Sequence, residues 1–180
     1  SEIISISLYT ENYKKVLIIY DEKKKGKLKN AMCFENEKAM LEYFKEQIHE
    51  IDPDIITGWN VIDFDFLVIR ERFKEHKIPF VLGRAEWESS LKIQQDFFKE
   101  STADIAGRQV LDGMAMLRSS FIALEDYKLE TAAQSILGRG KLIKGDNRGT
   151  EVMKLYKTDP QKVVDYNLED AKLVYDILEK

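Results

Sequence analysis

Helical and strand-like spacings of apolar residues alternate between residues 36 and 77, and this alternation limits the fold more than any other feature of the sequence. From Asn36 to Ile51, apolar residues recur every three or four positions, as in an amphipathic helix, and Asn36 is suited to cap it. Asp54 to Trp59 has the composition of a short buried strand, and a second helical pattern runs from about Asp63 to Lys77. This order of elements predicts an α/β fold with a mixed sheet flanked by helices.

The rest of the chain extends the same pattern. Polar residues 84–107 predict a variable insertion with an amphipathic turn at Leu91–Phe98, and residues 138–149 predict a loop. The other predicted elements are a hairpin of Ile3–Tyr9 and Val16–Tyr20, a strand at Arg108–Asp112, and helices at Met114–Phe121, Lys128–Leu137 and from Asp159 to the end of the chain.

Length and composition predict one domain, residues 1–180, and exclude several classes of protein. The single cysteine, Cys33, cannot form an internal disulfide, and no run of apolar residues is long enough to span a membrane. A net charge of -4 argues against a protein that binds duplex DNA non-specifically through many phosphates. We therefore expect a soluble, cytoplasmic monomer with no membrane partner, whose contacts with any nucleic acid are local.

The last predicted helix places an acid in its apolar stripe. At 100° per residue, Asp170 falls near the centre of the stripe that includes Val163 and Val174. An inward carboxylate needs a proton, a salt bridge, strong hydrogen bonds or a metal ion. Tyr166 lies one turn earlier on the same face, although a tyrosine and an aspartate four residues apart are a weak motif when taken alone.

A second acidic cluster follows the predicted strand at Asp54–Trp59. Asp63 is adequately explained as an acid at a helix N-terminus, whereas Asp65 lies at the edge of the apolar stripe and could face inward. Two inward carboxylates, Asp65 and Asp170, would repel each other unless cations bound between them. Sites made of carboxylate oxygens alone suit Mg²⁺ or Mn²⁺.

These motifs resemble those of a known family. Asn60 to Asp65 resembles the second exonuclease motif of family B DNA polymerases, N-x-x-x-F-D, and Tyr166 to Asp170 resembles their third motif, Y-x-x-x-D. Gly107–Asp112, Tyr127–Glu130 and Leu137–Lys141 are also similar to family segments in order and spacing. The resemblance covers essentially the whole chain, and within the family the motifs are most similar to those of the bacterial DNA polymerase II group.

The resemblance implies a ribonuclease H-like fold and a 3′-to-5′ proofreading exonuclease, with a parent polymerase active in DNA replication or repair. By the same resemblance, Asp65 and Asp170 would be the catalytic ligands of two Mg²⁺ or Mn²⁺ ions, and Tyr166 would orient the attacking water. Three substrate-binding positions are also implied: Asn60 and Phe64 match motif positions near the 3′-terminal nucleotides of single-stranded DNA, and Lys141 matches a lysine close to the scissile phosphate. For Phe64 core packing, and for Lys141 a solvated loop, are equally good explanations.

One family motif has no counterpart in the sequence. Family members carry a D-x-E pair on their first strand, and this chain contains no such pair. We therefore expect a fragment without that strand and without the polymerase domain, which binds metal weakly and hydrolyses DNA slowly or not at all. Two alternatives remain: a non-catalytic module that binds single-stranded DNA, and a ribonuclease H-like scaffold without a role in nucleic-acid chemistry.

Overall fold

A computed structural model describes residues 1–95, 99–140 and 148–180. In chain order, the elements are β1 (Ser5–Tyr9), β2 (Lys14–Ile19), α1 (Glu22–Lys25), β3 (Ala31–Phe34), α2 (Glu37–Ile51), β4 (Ile55–Gly58), a π-helical turn (Val61–Phe66), α3 (Leu67–Glu75), β5 (Ser90–Lys92), β6 (Thr102–Asp104), β7 (Gln109–Asp112), α4 (Gly113–Ser119), α5 (Leu129–Leu137), α6 (Arg148–Thr158) and α7 (Pro160–Leu178). Among these described helices, none combines the length and apolar character needed to cross a membrane.

The described residues divide into two compact units. The first unit comprises Ser1–Ile3 and Glu37–Ala123, and the second unit comprises Ile4–Asn36 and Leu124–Lys180. The expectation of a single domain over residues 1–180 stays a prediction.

The second unit is built on a three-stranded sheet. The strand order is β1-β2-β3, with β1 antiparallel and β3 parallel to β2. Helix α7 packs on β1 and β2, with α5 and α6 beside it. Asp159 caps α7 and Pro160 occupies its first turn, as the sequence predicts. The apolar core of this unit contains Val16, Ile18, Tyr20, Val163 and Val164.

The first unit contains a pair of parallel strands that end at the same edge. Strands β4 and β7 are in register, so that Gly58 lies opposite Asp112. The chain leaves β4 into the π-helical turn and α3, and it leaves β7 directly into α4. Buried aromatic rings, with Phe73 between Phe44 and Phe80, support this arrangement. The carboxyl ends of the two strands therefore bring two loop-to-helix connections together.

The α/β class and the long helices predicted from the sequence are confirmed, and three local predictions need correction. Strands β5 and β6 form an antiparallel hairpin where we expected an irregular insertion with a helical turn; residues 96–98 of that expected turn lie outside the described residues. Strand β3 and helix α6 were not predicted. The helix expected from Asp63 begins as a π-helical turn at Val61.

Candidate active site

The turn after β4 carries three of the residues selected from the sequence, namely Asn60, Phe64 and Asp65. Asn60 has a φ of 58° and lies in the left-handed region, which asparagine tolerates better than most residues. Gly58 makes the turn sterically feasible, because a Cβ atom there would lie 2.8 Å from the Cβ of Val61. The left-handed residue and the glycine together reverse the chain sharply at the end of the strand.

Asp65 is exposed to solvent rather than turned into the core, although protein atoms surround it closely. Desolvation by these atoms raises the pKa of its carboxyl group to about 6, its own backbone N–H opposes the rise, and the charge of Asp112 adds to it. Phe64 is 62% exposed. The explanation of Phe64 as a core residue is therefore wrong.

Asp112, to which sequence reasoning assigned no role, organises this region. Its Oδ1 accepts hydrogen bonds from the backbone N–H groups of Met114 at 3.0 Å and Ala115 at 3.1 Å, which caps α4. The same carboxylate accepts from the N–H groups of Asn60 at 3.3 Å and Ile62 at 3.4 Å. An aspartate between a predicted strand and a predicted helix was a visible signal for the cap, but the bonds to residues 60 and 62 depend on tertiary structure.

In the second unit, Tyr166 and Asp170 lie one turn apart on α7. Tyr166 is 8% exposed, and Asp170 is half-buried with its Oδ1 shielded from solvent. The prediction that Asp170 turns toward the interior is therefore confirmed. The pair presents an acid and a phenol on the same face of one rigid helix.

A cluster of charges flanks Asp170 on α7. Arg139 donates hydrogen bonds to Glu169 and Asp176, and Lys172 also donates to Asp176. Arg139 follows Gly138, whose φ of 68° ends α5 in the left-handed conformation. Arg139 thus binds to α7 two residues before Lys141. Lys141 itself lies outside the described residues.

Carboxylate oxygens are the available donors for a cation, and this donor set fits Mg²⁺ or Mn²⁺. In the first unit, the charge repulsion between Asp65 and Asp112 is of the kind that a bound cation relieves. Within residues 1–95, 99–140 and 148–180, no group of three or more His, Cys, Asp or Glu side chains is arranged to hold a metal ion. The described carboxylates therefore do not complete a metal site by themselves.

Comparisons with known proteins agree with the motifs. Residues 1–132 match the family described as DNA polymerase family B, exonuclease domain. The chain is 34% identical to DNA polymerase II of Escherichia coli (strain K12) over 144 residues, covering 78% of the chain and 18% of that protein. It is 29% identical to the DNA polymerase of Thermococcus gorgonarius over 143 residues, again covering 78% and 18%.

A eukaryotic polymerase shows the same degree of similarity. The chain is 29% identical over 154 residues to the DNA polymerase delta catalytic subunit of Caenorhabditis elegans, covering 81% of the chain and 14% of that protein. The chain thus spans less than a fifth of the length of these relatives.

Proposed function

Because the chain belongs to the exonuclease-domain family of family B DNA polymerases, we propose that it is the proofreading 3′-to-5′ exonuclease domain of a larger DNA-directed DNA polymerase. Its α/β fold of small sheets flanked by helices is consistent with the ribonuclease H-like class of that family. The parent enzyme would remove mismatched nucleotides during DNA replication or repair. The monomeric state and cytoplasmic location expected from the sequence stay predictions.

The observation that carries the proposal is the placement of the two motifs, one on the turn after β4 and the other on one face of α7. Asp65 follows a strand end and has a carboxyl pKa raised to about 6, while Asp170 and Tyr166 share one face of α7. Asp65 and Asp170 would hold the Mg²⁺ or Mn²⁺ ions, which supply charge stabilisation and activation of water when bound. The Tyr166 hydroxyl would orient the water that attacks the terminal phosphodiester.

The substrate we propose is the 3′ end of single-stranded DNA. Phe64 is mostly exposed at the turn, where its ring is available to stack on a base, and Asn60 begins the same turn. Lys141 would contact the phosphate, in keeping with its match to the family lysine. A net charge of -4 makes such local contacts, rather than a broad basic surface, the source of affinity.

We propose that the chain by itself is a weak enzyme. Family members use a D-x-E pair in addition to the motifs present here, and the sequence contains none. With two rather than four carboxylates, metal binding would be weak and hydrolysis would be slow or absent. The rest of the parent polymerase is therefore part of the proposed active enzyme.

The test is hydrolysis of a 5′-labelled single-stranded oligonucleotide by the longer polymerase that contains this chain, in Mg²⁺ or Mn²⁺. Asp65→Ala and Asp170→Ala should each reduce the rate by at least about 100-fold, because loss of groups that merely support ligands already costs about 10- to 100-fold. Asp63→Ala is the matched control, since Asp63 is an exposed acid on the same turn. Loss of activity in Asp63→Ala alone would contradict the assignment.

A non-catalytic DNA-binding module is the alternative that one observation favours. Phe64 is 62% and Trp87 68% exposed, and exposed aromatic rings are platforms for unpaired bases. This alternative predicts binding of single-stranded DNA that persists in EDTA, with no shortening of the strand in Mg²⁺. Shortening that requires a divalent cation would exclude it.

A further inference from the structure

The turn that carries Asn60, Phe64 and Asp65 is fixed at its start by one side chain from the neighbouring strand. Asp112 lies opposite Gly58 in the β4–β7 register, so its carboxylate reaches the first residues after β4. The N–H groups of Asn60 and Ile62 both point at this carboxylate, at 3.3 and 3.4 Å. Asp112 thereby connects the end of one strand to the turn that follows the other.

The two oxygens of Asp112 divide their contacts unequally. Oδ1 accepts from Asn60 and from both capped amides of α4, Met114 and Ala115, whereas Oδ2 accepts from Ile62. One oxygen at the N-cap position is enough to satisfy the first amides of a helix, so the capping of α4 requires only Oδ1. The bond from the N–H of Ile62 to Oδ2 is therefore not needed to cap α4, and it holds the turn instead.

We propose that Asp112 is a positioning residue for the exonuclease reaction, which holds the turn so that Asp65 meets metal and Phe64 meets the DNA end. The inference rests on the proposed function. Asp112 acts through the backbone of residues 60–62 and does not itself contact the substrate. Its side chain fixes the left-handed conformation of Asn60 from outside the turn, and this conformation sets the direction in which the following residues leave the strand.

Replacing Asp112 by asparagine separates its two tasks. Asparagine is as good a helix cap as aspartate, and its single oxygen can keep the Oδ1 contacts. The amide nitrogen then faces the N–H of Ile62, where a donor meets a donor and no hydrogen bond forms. Asp112→Asn should thus retain α4 and the bond to Asn60 while releasing the turn at Ile62.

The first measurement uses the longer polymerase containing this chain and follows exonuclease rate against Mg²⁺ concentration. Asp112→Asn should lower the rate about 10- to 100-fold at limiting Mg²⁺ and less at saturating Mg²⁺, as for other groups that orient metal ligands. Asp126→Asn is the matched control, because Asp126 likewise accepts a backbone hydrogen bond, from Lys128, at a place remote in sequence from the turn. Equal Mg²⁺ dependence of the two variants would overturn the proposal.

The second measurement is independent of hydrolysis and uses the chain itself. Backbone amide exchange should accelerate in Asp112→Asn at Ile62, and remain unchanged at Met114 and Ala115, which the asparagine still caps. Unchanged exchange at Ile62 would overturn the positioning contact. If the wild-type polymerase did not hydrolyse DNA while Ile62 responded as expected, the proposed function would fail and the contact would stand.

Discussion

Asp65 combines exposure to solvent with a pKa of about 6, and this combination has a measurable consequence. Because its pKa is raised above the ordinary value of 3.8, ionisation of Asp65 costs free energy in the folded state. The free energy of unfolding is therefore not reduced by Asp65 below pH 4, and it falls as the pH rises from there through 6. Asp65→Asn should therefore raise the melting temperature at pH 8, and the gain should shrink at pH 5. Thermal unfolding at the two pH values measures it.

Asp63→Asn provides the comparison for this experiment. Asp63 is also exposed and lies in the same turn, so its substitution removes a comparable negative charge from the same segment. A gain at pH 8 that is equal in the two variants would show that removal of any negative charge from the turn suffices.

Individual site residues differed in how far the sequence could place them. Asp170 was predictable because α7 is a regular helix, in which each position has a fixed direction. The inward direction allowed for Asp65 assumed the same regularity, whereas residues 61–66 form a π-helical turn with another angle per residue. The role of Asp112 could not be predicted, since its partners are backbone groups of a distant segment.

At the level of elements, Val61 lies so close to Gly58 that the turn after β4 leaves no room for a side chain at residue 58. A methyl group at residue 58 would lie 2.8 Å from Val61 Cβ, which is close to the backbone and cannot rotate away. Gly58→Ala should therefore destabilise the protein by about 1–3 kcal/mol through overpacking. Urea denaturation at neutral pH measures the loss.

Two further variants make this prediction specific. Val61→Ala should recover part of the loss when it is combined with Gly58→Ala, because it removes Val61 Cγ2, one of the two atoms that would lie 2.8 Å from the added methyl group. Gly149→Ala is the matched glycine substitution in α6, where nothing lies within 4 Å and alanine should stabilise the helix by up to about 1 kcal/mol. A cost at residue 149 equal to that at residue 58 would contradict the steric explanation.

The contacts of Arg139, which follows α5, with two acids on α7 give a second prediction at this scale. Arg139→Ala removes the hydrogen bonds to Glu169 and Asp176 and leaves two acids without this partner, so we expect a loss of about 1 kcal/mol. Lys162→Ala, which breaks only an exposed 3.5 Å pair with Asp159, should cost less. Both free energies of unfolding come from the same denaturant titration, and a smaller loss for Arg139→Ala would refute the expectation.

Sequence patterns identified the long elements better than the short ones. Helices α2 and α7, with 15 and 19 residues, carry several turns of periodic apolar residues. Strands β5 and β6 have three residues each, which is too few for an alternation to be read, and their pairing partners come from the fold. Helix α6 carries no fully buried residue among residues 149–158, so its apolar periodicity is weak.

At the scale of the whole molecule, we expect the free energy of unfolding in acid to depend on Glu37, a buried carboxylate at the start of α2. Glu37 is 3% exposed and accepts hydrogen bonds from the N–H of Ile3 and the side chains of Arg72 and His76. Burial alone would raise the pKa of Glu37, but these bonds and the charge of Arg72 outweigh it and lower the pKa to about 2.

Glu37→Gln should accordingly lower the free energy of unfolding at pH 7 by about 3 kcal/mol, because Arg72 then loses its charged partner. A lowered pKa stabilises the fold above the ordinary value of 4.5 and ceases to do so as the pH falls toward 2. The difference between variant and wild type should therefore shrink over that interval. Urea titrations from pH 7 to 2.5 measure it.

Glu42→Gln serves as the control for acid stability. Glu42 lies on the same helix in an exposed pair with Lys38 at 3.9 Å, which should contribute less than about 0.5 kcal/mol. A pH-independent loss in Glu37→Gln, equal to that in Glu42→Gln, would show that the buried cluster does not determine acid stability.

The register that sets Gly58 opposite Asp112 also determines where this chain can change in length during evolution. An insertion between β5 and β6 would lie outside the β4–β7 ladder and would leave the two strand ends facing each other. A single residue added between Gly58 and Ile62 would instead move the N–H groups of the turn out of line with the carboxylate of Asp112. Among relatives, gaps should therefore accumulate within residues 84–107, while the spacing of the turn stays constant.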